Sequence, residues 1–389
     1  MRLAFVIPWY GEHIPGGAEF AMRRLAEELA ARRRSVEVLT TCIKDFYSDW
    51  STNFHREGVT TENGVPVRRF LVKRRNLRAF DELNGRLLRG ETLTRDEERR
   101  FMNEMIISPG LIRFIAAHRR EYQFFFTPYL FSTSYFGVRA CPDRAWLVPR
   151  LHDESYAYLQ LTREMFEAAQ GVLFLSPPEM TLAQRLYQLG RARIGLIGDG
   201  VDAGLPGDAQ RFRDQTGVRE PFVLYVGRRD PTKNVPLLID YYRRYRASRD
   251  NALKLVLMGS GNLNDVTARS DELIDLGFVS PQDKADAIAA ANVLCQPSKN
   301  ESFSLVIMEA WLAGTPVLVH ADCAVTADHC RRSNGGLYFS DYAEFAGCLD
   351  FFSNQLDIAR RMGQLGRQYV RANFDWDKVI RRFDHFTQL

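Results

Sequence analysis

Two α/β units, each built on a parallel sheet with helices on both faces, are the fold that the sequence predicts. The chain has 389 residues, which is too long for one ordinary hydrophobic core and suits two domains. In both halves, short apolar runs alternate with stretches of helical periodicity, a pattern typical of doubly wound sheets. The alternation pauses near residue 200 and then begins again, so the boundary between the units is expected there.

The first half begins with a buried strand over residues 3–7 and a helix over residues 18–33, whose apolar side chains recur at helical spacing. The pair Asn63-Gly64 between two β-rich runs indicates a hairpin. The charge-rich segment 73–100 predicts helical or partly mobile structure. Further strands are predicted over residues 36–40, 59–61, 65–72, 124–127, 145–148, 172–175 and 193–197.

The second half follows the same alternation after a linker at residues 198–202. Strands are predicted over residues 222–226, 253–258, 293–296 and 316–319. Helices are predicted over residues 235–245, 284–290 and 305–312. Because ligands of open α/β sheets bind beyond the carboxyl ends of the strands, the residues that follow these strands are the first candidates for a site.

Composition excludes several classes of protein. Hydrophobic residues make up 46% and charged residues 26% of the chain, which suits a globular protein. The formal net charge of +4 does not indicate a nucleic-acid binder, and no nucleic-acid partner is expected. The six cysteines include no C-x-x-C pair, so reduced thiols in the cytosol are a better interpretation than a zinc site or disulfides. The apolar run at residues 3–7 is interpreted as a strand rather than a signal peptide, and residues 122–138 are too polar for a membrane span.

A first motif, GRRDPTKN at residues 227–234, directly follows a predicted strand. Its Arg228 and Lys233 are two cations at a strand end, just before a helix, where they could hold a diphosphate and stabilise it as a leaving group. An ordinary polar loop with solvated charges explains the motif equally well. Both interpretations stay open at this point.

A second motif covers residues 297–310, PSKNESFSLVIMEA, after another predicted strand. Small residues precede an apolar helical run, so a helix that starts there would present free backbone N–H groups from about Ser302 to Leu305 to a phosphate. Glu301 would lie in the loop and Glu309 on the helix, where both could accept hydrogen bonds from sugar hydroxyls. Either carboxylate alone would be interpreted as a cap or a surface charge, but the pair in this context favours a ligand.

Together, these motifs resemble the GT4 family of retaining GT-B glycosyltransferases, whose E-x7-E motif is matched by Glu301 and Glu309. The resemblance covers most of the chain and implies the GT-B fold, two Rossmann-like domains that face each other across a cleft. It also implies that Glu301 contacts the donor sugar and Glu309 the ribose, while Arg228 and Lys233 bind the diphosphate. The remaining donor-binding positions implied in this half are Ser302, Phe303, Ser304 and Leu305 through backbone amides, and Phe278. The family often has glycine at Ser302 and Ser304.

In the N-terminal half, the segment 15–19, PGGAE, is similar to the glycine-rich first loop of the family and makes Gly17 a donor-binding candidate. A plain strand-to-helix turn also explains these glycines. His152 follows a predicted strand and resembles the family's histidine near the reacting sugar, although a single histidine is more often structural. The resemblance thus makes His152, Glu301, Arg228 and Lys233 the catalytic candidates.

Domain boundaries also follow from the resemblance. Residues 198–202 match the family's interdomain N-G-V-D segment, except that Asp199 replaces the usual Asn and could alter the local charge. Residues 374–377 resemble the start of a final helix that crosses back to the first domain. The expected division is an acceptor-side domain at 1–200, a donor domain at 201–372 and a returning helix at 373–389.

No cofactor and no metal are expected, because the nucleotide sugar is a substrate and no Asp-x-Asp stands where it would hold a metal-bound diphosphate. The turn at residues 259–261 lacks the third glycine of a dinucleotide fingerprint, since Asn264 stands there, which argues against an NAD site. The resemblance implies instead that this turn and residues 277–279 line the nucleotide pocket.

The resemblance implies a retaining transfer from a nucleotide-diphosphate sugar to a glycan, lipid-linked or small-molecule acceptor, in cell-surface polysaccharide synthesis. A nucleotide-sugar 2-epimerase of the same fold and a non-catalytic sugar-nucleotide-binding protein are the alternatives. A cytoplasmic location is expected. Basic residues at 32–34, 68–69, 73–75 and 78, interleaved with Leu71, Leu77 and Phe80, suggest peripheral association with an anionic membrane surface. A solvated basic face balanced by nearby carboxylates is almost as good an explanation.

Overall fold

A computed structural model describes residues 1–12, 14, 16–202, 204–229, 233–249, 252–261 and 272–388. The chain forms two compact units. Unit 1 comprises Met1–Gly200 and Trp376–Leu389, and unit 2 comprises Val201–Asp375. Unit 1 therefore contains both ends of the chain, and unit 2 is one continuous insertion.

Among the described residues, unit 1 contains an eight-stranded sheet in the order β3-β4-β2-β1-β5-β6-β7-β8. All neighbours pair in parallel except β3 and β4, which form the antiparallel hairpin predicted from Asn63-Gly64. Both hairpin residues have positive φ, 48° and 80°, as a tight two-residue turn requires. The strands are β1 (Arg2–Val6), β2 (Val36–Thr41), β3 (Gly58–Glu62), β4 (Val65–Phe70), β5 (Tyr122–Phe126), β6 (Ala145–Leu147), β7 (Gly171–Phe174) and β8 (Arg193–Leu196).

Helices complete this unit, and the final one packs on its sheet. Phe383 of that helix contacts Phe5 of β1 and Phe125 of β5, with ring centroids 6.3 and 4.9 Å apart. The charge-rich segment after β4 forms two helices, the second of which begins with a reciprocal Thr94–Glu97 capping box. The helices are α1 (Gly17–Ala31), α2 (Leu77–Leu88), α3 (Arg95–Asn103), α4 (Pro109–Ala117), α5 (Ser132–Ala140), α6 (Gln160–Ala168), α7 (Pro177–Leu186) and the last, α15 (Trp376–Thr387).

Unit 2 contains, in its described part, a six-stranded parallel sheet in the order β11-β10-β9-β12-β13-β14. Its strands are β9 (Phe222–Val226), β10 (Lys254–Met258), β11 (Leu273–Asp275), β12 (Val293–Gln296), β13 (Val317–His320) and β14 (Gly336–Phe339). Its helices are α8 (Ala209–Thr216), α9 (Val235–Ser248), α10 (Pro281–Ala290), α11 (Leu305–Ala313), α12 (Ala324–Ser333), α13 (Tyr342–Asn354) and α14 (Leu356–Asn373). The predicted doubly wound α/β class is confirmed.

Several local expectations are refined. Helix α1 ends at Ala31 rather than Arg33, because Arg33 adopts a left-handed φ of 60° that an α-helix does not accommodate. All six cysteines are free thiols, and five of them are buried. No helix in the described ranges is both long and apolar enough to cross a membrane.

Candidate functional site

The carboxyl edge of the unit 2 sheet is built from tightly packed turns. The N–H of Gly259 after β10 donates to the carbonyl of Gly277 after β11 at 2.8 Å. The N–H of Arg229 donates to the carbonyl of Ser260 at 2.7 Å. Gly259 has φ of 134°, and a Cβ there would lie 1.8 Å from the carbonyl oxygen of Gly227. Glycine is therefore required for the turns to approach so closely, a steric role that needs no dinucleotide fingerprint.

The two adjacent arginines after β9 differ in their surroundings. Arg229 is buried and its guanidinium pairs with the Asp275 carboxylate at the end of β11. Arg228 is half-buried, and its backbone carbonyl accepts a hydrogen bond from the Tyr225 hydroxyl. Sequence alone could not separate a structural arginine from a candidate ligand-binding one here. Asp230, Pro231 and Thr232 of this motif lie outside the described residues.

Lys233 and Glu301 meet although they are far apart in the chain. The Lys233 Nζ lies 2.7 Å from Glu301 Oε1, and both side chains are mostly buried, with 23% and 12% exposure. The neighbouring Asn234 donates from its side-chain amide to the carbonyl of Pro297 at 3.0 Å. These two bonds connect the loop after β9 with the loop after β12. They thereby bring together the two motifs that sequence analysis singled out separately.

The amino terminus of α11 lies where the second motif predicts a helix. Its N-cap, Ser304, has φ 70° and ψ 76° and makes no side-chain capping bond, so no side chain caps this terminus. Uncapped first-turn N–H groups at a helix start favour an anion. Phe303 is buried, and its ring packs edge-on against His329 and Phe374 at 5.3 and 4.8 Å. Ser302, before the buried Phe303, and Leu305, the first residue of α11, are half-buried.

Glu309 lies on α11 as predicted, but its carboxylate has a partner that sequence analysis missed. Lys284 of α10 places its Nζ 2.6 Å from Glu309 Oε1, and the two side chains are about one-third exposed. The two glutamates of the E-x7-E motif are therefore each paired with a different lysine, Glu301 with Lys233 and Glu309 with Lys284. No sequence signal marks Lys284, because its pairing depends on how α10 packs against α11.

Phe278 follows β11 and is 81% exposed, the most exposed large apolar side chain among the described residues. The preceding residue, Gly277, accepts the N–H of Gly259. The exposed Phe278 ring is therefore attached to backbone that a hydrogen bond between two packed turns holds in place. An exposed aromatic face at this position is suitable for stacking on a planar base.

In unit 1, His152 lies in the loop after β6 and is about one-quarter exposed. Its Nδ1 is 3.7 Å from Glu154 Oε1, and the same oxygen accepts a 2.9 Å hydrogen bond from the buried Tyr129 hydroxyl. Gly17 is the first residue of α1, and a Cβ built on it would meet nothing within 4 Å. Pro15 of the glycine-rich segment lies outside the described residues.

The unusual Asp199 has a structural explanation. Its carboxylate accepts two hydrogen bonds, of 2.9 and 3.0 Å, from the guanidinium of Arg150, and both side chains are buried. Such a bidentate pair compensates the charge that Asp introduces in place of the family's Asn. The expected change in charge at this segment is therefore balanced by a second residue, 49 positions away.

The basic residues suggested for membrane contact are mostly engaged elsewhere. Phe80 is buried, and the Arg75 guanidinium lies 4.8 Å from both the Phe80 and the Trp50 ring centroids, so neither side chain is presented to solvent as the sequence suggested. Between residues 71 and 80, the exposed basic side chains are Lys73, Arg74 and Arg78, with the exposed Leu71 and Leu77 beside them. Arg32 and Arg33 of the suggested set are exposed as well. Four arginines form ion pairs: Arg32 with Asp377, Arg34 with Asp384, Arg68 with Glu37 and Arg69 with Glu62.

Comparison with known proteins agrees with this architecture. Residues 16–200 match the model of the glycosyl transferase 4-like domain, and residues 208–369 match glycosyl transferases group 1. The D-inositol 3-phosphate glycosyltransferase of Gordonia bronchialis is 32% identical over 56% of this chain and 52% of its own length. The protein of the same name from Kineococcus radiotolerans is 27% identical over 93% of this chain and 87% of its length. The chain spans about half the length of the curated relatives that it matches at higher identity.

Solved structures show the same fold at low identity. Sucrose-phosphate synthase from Thermosynechococcus elongatus superposes with a TM-score of 0.73 at 20% identity, covering 100% of this chain and 98% of that one. HepE from Anabaena, solved in complex with UDP and glucose, gives a TM-score of 0.72 at 17% identity, with 100% of both chains covered. With two family models that together span both units, and with this fold, the chain belongs to the GT4-like glycosyltransferases of the GT-B class.

Proposed function

We propose that this protein is a retaining glycosyltransferase that moves a sugar from a nucleotide-diphosphate donor to a glycan, lipid-linked or small-molecule acceptor. One observation carries the proposal: at the carboxyl edge of a parallel sheet, Lys233 from the loop after β9 pairs with Glu301 from the loop that leads to the uncapped start of α11. A cation and helix N–H groups are suited to a diphosphate, and a carboxylate is suited to sugar hydroxyls.

In this proposal, Arg228 and Lys233 neutralise the charge that develops on the departing diphosphate, which removes the need for a metal ion. The amides of Phe303, Ser304 and Leu305 bind the same phosphates. Glu301 orients the donor sugar and Glu309 the ribose, with Phe278 beside the base. By the family resemblance, His152 of unit 1 is a further catalytic candidate and Gly17 a further donor-binding candidate.

The chemistry that we propose is same-face substitution. The bond from the anomeric carbon to the phosphate oxygen breaks, and the acceptor hydroxyl attacks from the side that the phosphate leaves. The hydroxyl proton passes to the departing phosphate oxygen, so no carboxylate nucleophile is needed. The protein contributes orientation and stabilisation of charge rather than covalent catalysis.

A donor screen tests this function. We expect one sugar nucleotide among UDP-, GDP- and dTDP-sugars to raise the melting temperature, because a ligand that binds only the folded state stabilises it. UDP-glucose is the first choice, since HepE of the same fold was solved with it. Transfer or slow hydrolysis of the donor would support the proposal. Epimerised donor would favour the 2-epimerase alternative, and binding without turnover would favour the non-catalytic one.

Product analysis tests the stereochemistry. Proton NMR should show that the new glycosidic bond keeps the anomeric configuration of the donor, and excess EDTA should leave the rate unchanged. An inverted anomer would contradict the retaining mechanism. For the acceptor, the named activity of the relatives makes inositol phosphates a first small-molecule class to test, alongside glycans and lipid-linked glycans of cell-surface polysaccharide synthesis.

We also propose peripheral association with an anionic membrane through the exposed side chains Lys73, Arg74 and Arg78, aided by Leu71 and Leu77. Basic residues near such a surface contribute about 1 kcal/mol each. The protein should sediment with anionic vesicles at low salt and be released at high salt. Charge reversal at Lys73, Arg74 and Arg78 should reduce sedimentation, whereas reversal of the exposed pair Arg119 and Arg120 serves as the control. A wild type that ignores anionic vesicles at low salt would overturn this part of the proposal.

A further inference from the structure

The loop that carries His152 is held by a carboxylate that sequence analysis did not select. Glu179, in the first turn of α7, is 1% exposed. Its Oε1 accepts the backbone N–H of Leu151 at 2.7 Å, and its Oε2 accepts the backbone N–H of Leu175 at 2.7 Å. One buried carboxylate thus fixes the residue directly before His152 and ties it to the end of β7.

Arg150, the residue before Leu151, is held by a second buried acid, Asp199. Arg150 has a left-handed φ of 57°, a conformation that a non-glycine residue keeps only when its surroundings enforce it. The enforcing contact is its bidentate pair with Asp199, in the segment after β8. Glu179, Arg150 and Asp199 therefore link the segments that follow three adjacent strands, β6, β7 and β8.

We propose that Glu179 is a positioning residue for His152, acting through the Leu151 amide with the Arg150–Asp199 pair as its electrostatic support. This inference rests on the proposed function, because the catalytic role of His152 belongs to that proposal. Glu179 itself is enclosed by the fold and does not reach substrate. It affects activity indirectly, by holding the loop in the position that orients the His152 side chain.

The geometry uses both carboxyl oxygens of Glu179 as acceptors, and each oxygen keeps an acceptor lone pair whether or not the group is protonated. Two backbone N–H groups point at its two oxygens, and each oxygen accepts one of them. Glutamine has the same shape but offers one acceptor oxygen and one NH₂ donor. In Glu179→Gln, one backbone N–H would face another donor, so the Leu151 or the Leu175 amide must move away.

The variant Glu179→Gln should lower kcat about 10- to 100-fold, the scale expected for a misplacement of about 1 Å. KM for the donor should stay within about twofold, because the residues proposed to bind the diphosphate and sugar are in the other unit. Hydrogen exchange, followed by mass spectrometry on a peptide that contains Leu151 and ends before Gln160, should become at least about tenfold faster.

Glu98→Gln is the matched control. Glu98 is also buried in unit 1 and also accepts two backbone N–H groups, from Gln160 and Leu161 at 3.0 and 2.9 Å. Glu98→Gln should lower the free energy of unfolding about as much as Glu179→Gln does. It should not accelerate hydrogen exchange at Leu151, and its loss of kcat should be smaller than that of Glu179→Gln. This comparison separates positioning from a general cost of disturbing a buried carboxylate.

If Glu179→Gln does not fold, Asp199→Asn tests the same network. It keeps an acceptor for Arg150 but removes the charge, and a loss of about twofold to tenfold in kcat is expected. Unchanged exchange at Leu151, or a kcat no lower than in the Glu98→Gln control, would overturn the positioning role. A wild type that transfers no sugar, combined with faster Leu151 exchange only in the Glu179 variant, would overturn the proposed function and still support the positioning.

Discussion

The two units hold their candidate residues in different ways. In unit 2, the candidates come from short motifs at strand ends and contact one another directly, as Lys233 and Glu301 do. In unit 1, the loop of His152 is held by side chains from other strand ends, since Glu179 accepts the N–H of Leu151 and Asp199 pairs with Arg150. The difference teaches that the candidate residues of unit 2 are specified locally, whereas the candidate of unit 1 is specified by long-range buried charge.

Each organisation has its own vulnerability. A motif-based site loses function when one of its own side chains is removed, with little change in the surrounding fold. A network-based site loses function when a buried residue that never meets the substrate is altered, and stability changes with it. Mutations at the candidates of unit 2 should therefore change activity more than stability, whereas mutations in the buried network of unit 1 should change both.

The largest expected effect concerns Lys233. Lys233→Ala should lose about 2–4 kcal/mol of transition-state stabilisation, or roughly 30- to 1,000-fold in kcat/KM, because it removes a preorganised cation from the diphosphate. Steady-state kinetics measure the loss. Lys254→Ala is the control, since Lys254 is similarly buried and pairs with Glu220 at 2.9 Å near the start of β10. Equal activity in the two variants would remove Lys233 from the proposed site.

An effect of intermediate size concerns the pH dependence of stability in unit 1. Burial raises the pKa of Glu179 from 4.5 to about 7. Between these values the unfolded chain ionises while the folded protein keeps its proton, so stability falls as pH rises through this window. The accumulated loss is at most about 3 kcal/mol and is complete above pH 7.

Glu179→Gln cannot ionise at this position and should lack that loss. Its unfolding free energy relative to wild type should therefore increase between pH 4.5 and 7.5, as measured by urea unfolding at both values. Arg150 and Asp199 are the charged groups that face Glu179 and remain in both proteins. A difference between the two proteins that does not vary with pH would show that Glu179 has the same ionisation in the folded and unfolded chains.

The smallest expected effect concerns Ser304 in unit 2. Its left-handed φ of 70° is unfavourable for a residue with a Cβ, and its buried hydroxyl has no hydrogen-bond partner among the described residues. Ser304→Gly should stabilise the protein by about 1 kcal/mol, after the entropic cost of glycine is subtracted. Ser302→Gly, two residues away and without a positive φ, should not stabilise it. Equal effects in a urea titration would mean that local strain at the start of α11 is not relieved by glycine.

The motifs of unit 2 could be predicted because each is contiguous in the chain. The helix after Ser304 and the position of Glu309 on it follow from the run of apolar residues and are confirmed. The partner of Glu309 could not be predicted, since Lys284 reaches it only through the packing of α10. Likewise, nothing local distinguishes the buried Arg229, which pairs with Asp275, from its neighbour Arg228.

Unit 1 gave fewer local signals. Ser176 and Glu179 have the spacing of a helix cap, and Glu179 does accept the N–H of Leu175 nearby. Its second bond, to Leu151, crosses 28 positions and carries the consequence for His152. The basic cluster shows the same limit, because composition could not reveal that Arg75 lies against the Trp50 and Phe80 rings.

By itself, the sequence determined the α/β class, the pause near residue 200 and the motifs that place this chain among the GT4-like glycosyltransferases. These properties depend on periodicity, turn residues and contiguous spacing, which act over a few residues. Only the tertiary structure decided which charges neutralise one another: Lys233 with Glu301, Lys284 with Glu309, and Arg150 with Asp199. The physical reason is that a buried charge must find an opposite charge or a hydrogen bond in space, and the fold brings such partners together from distant parts of the chain.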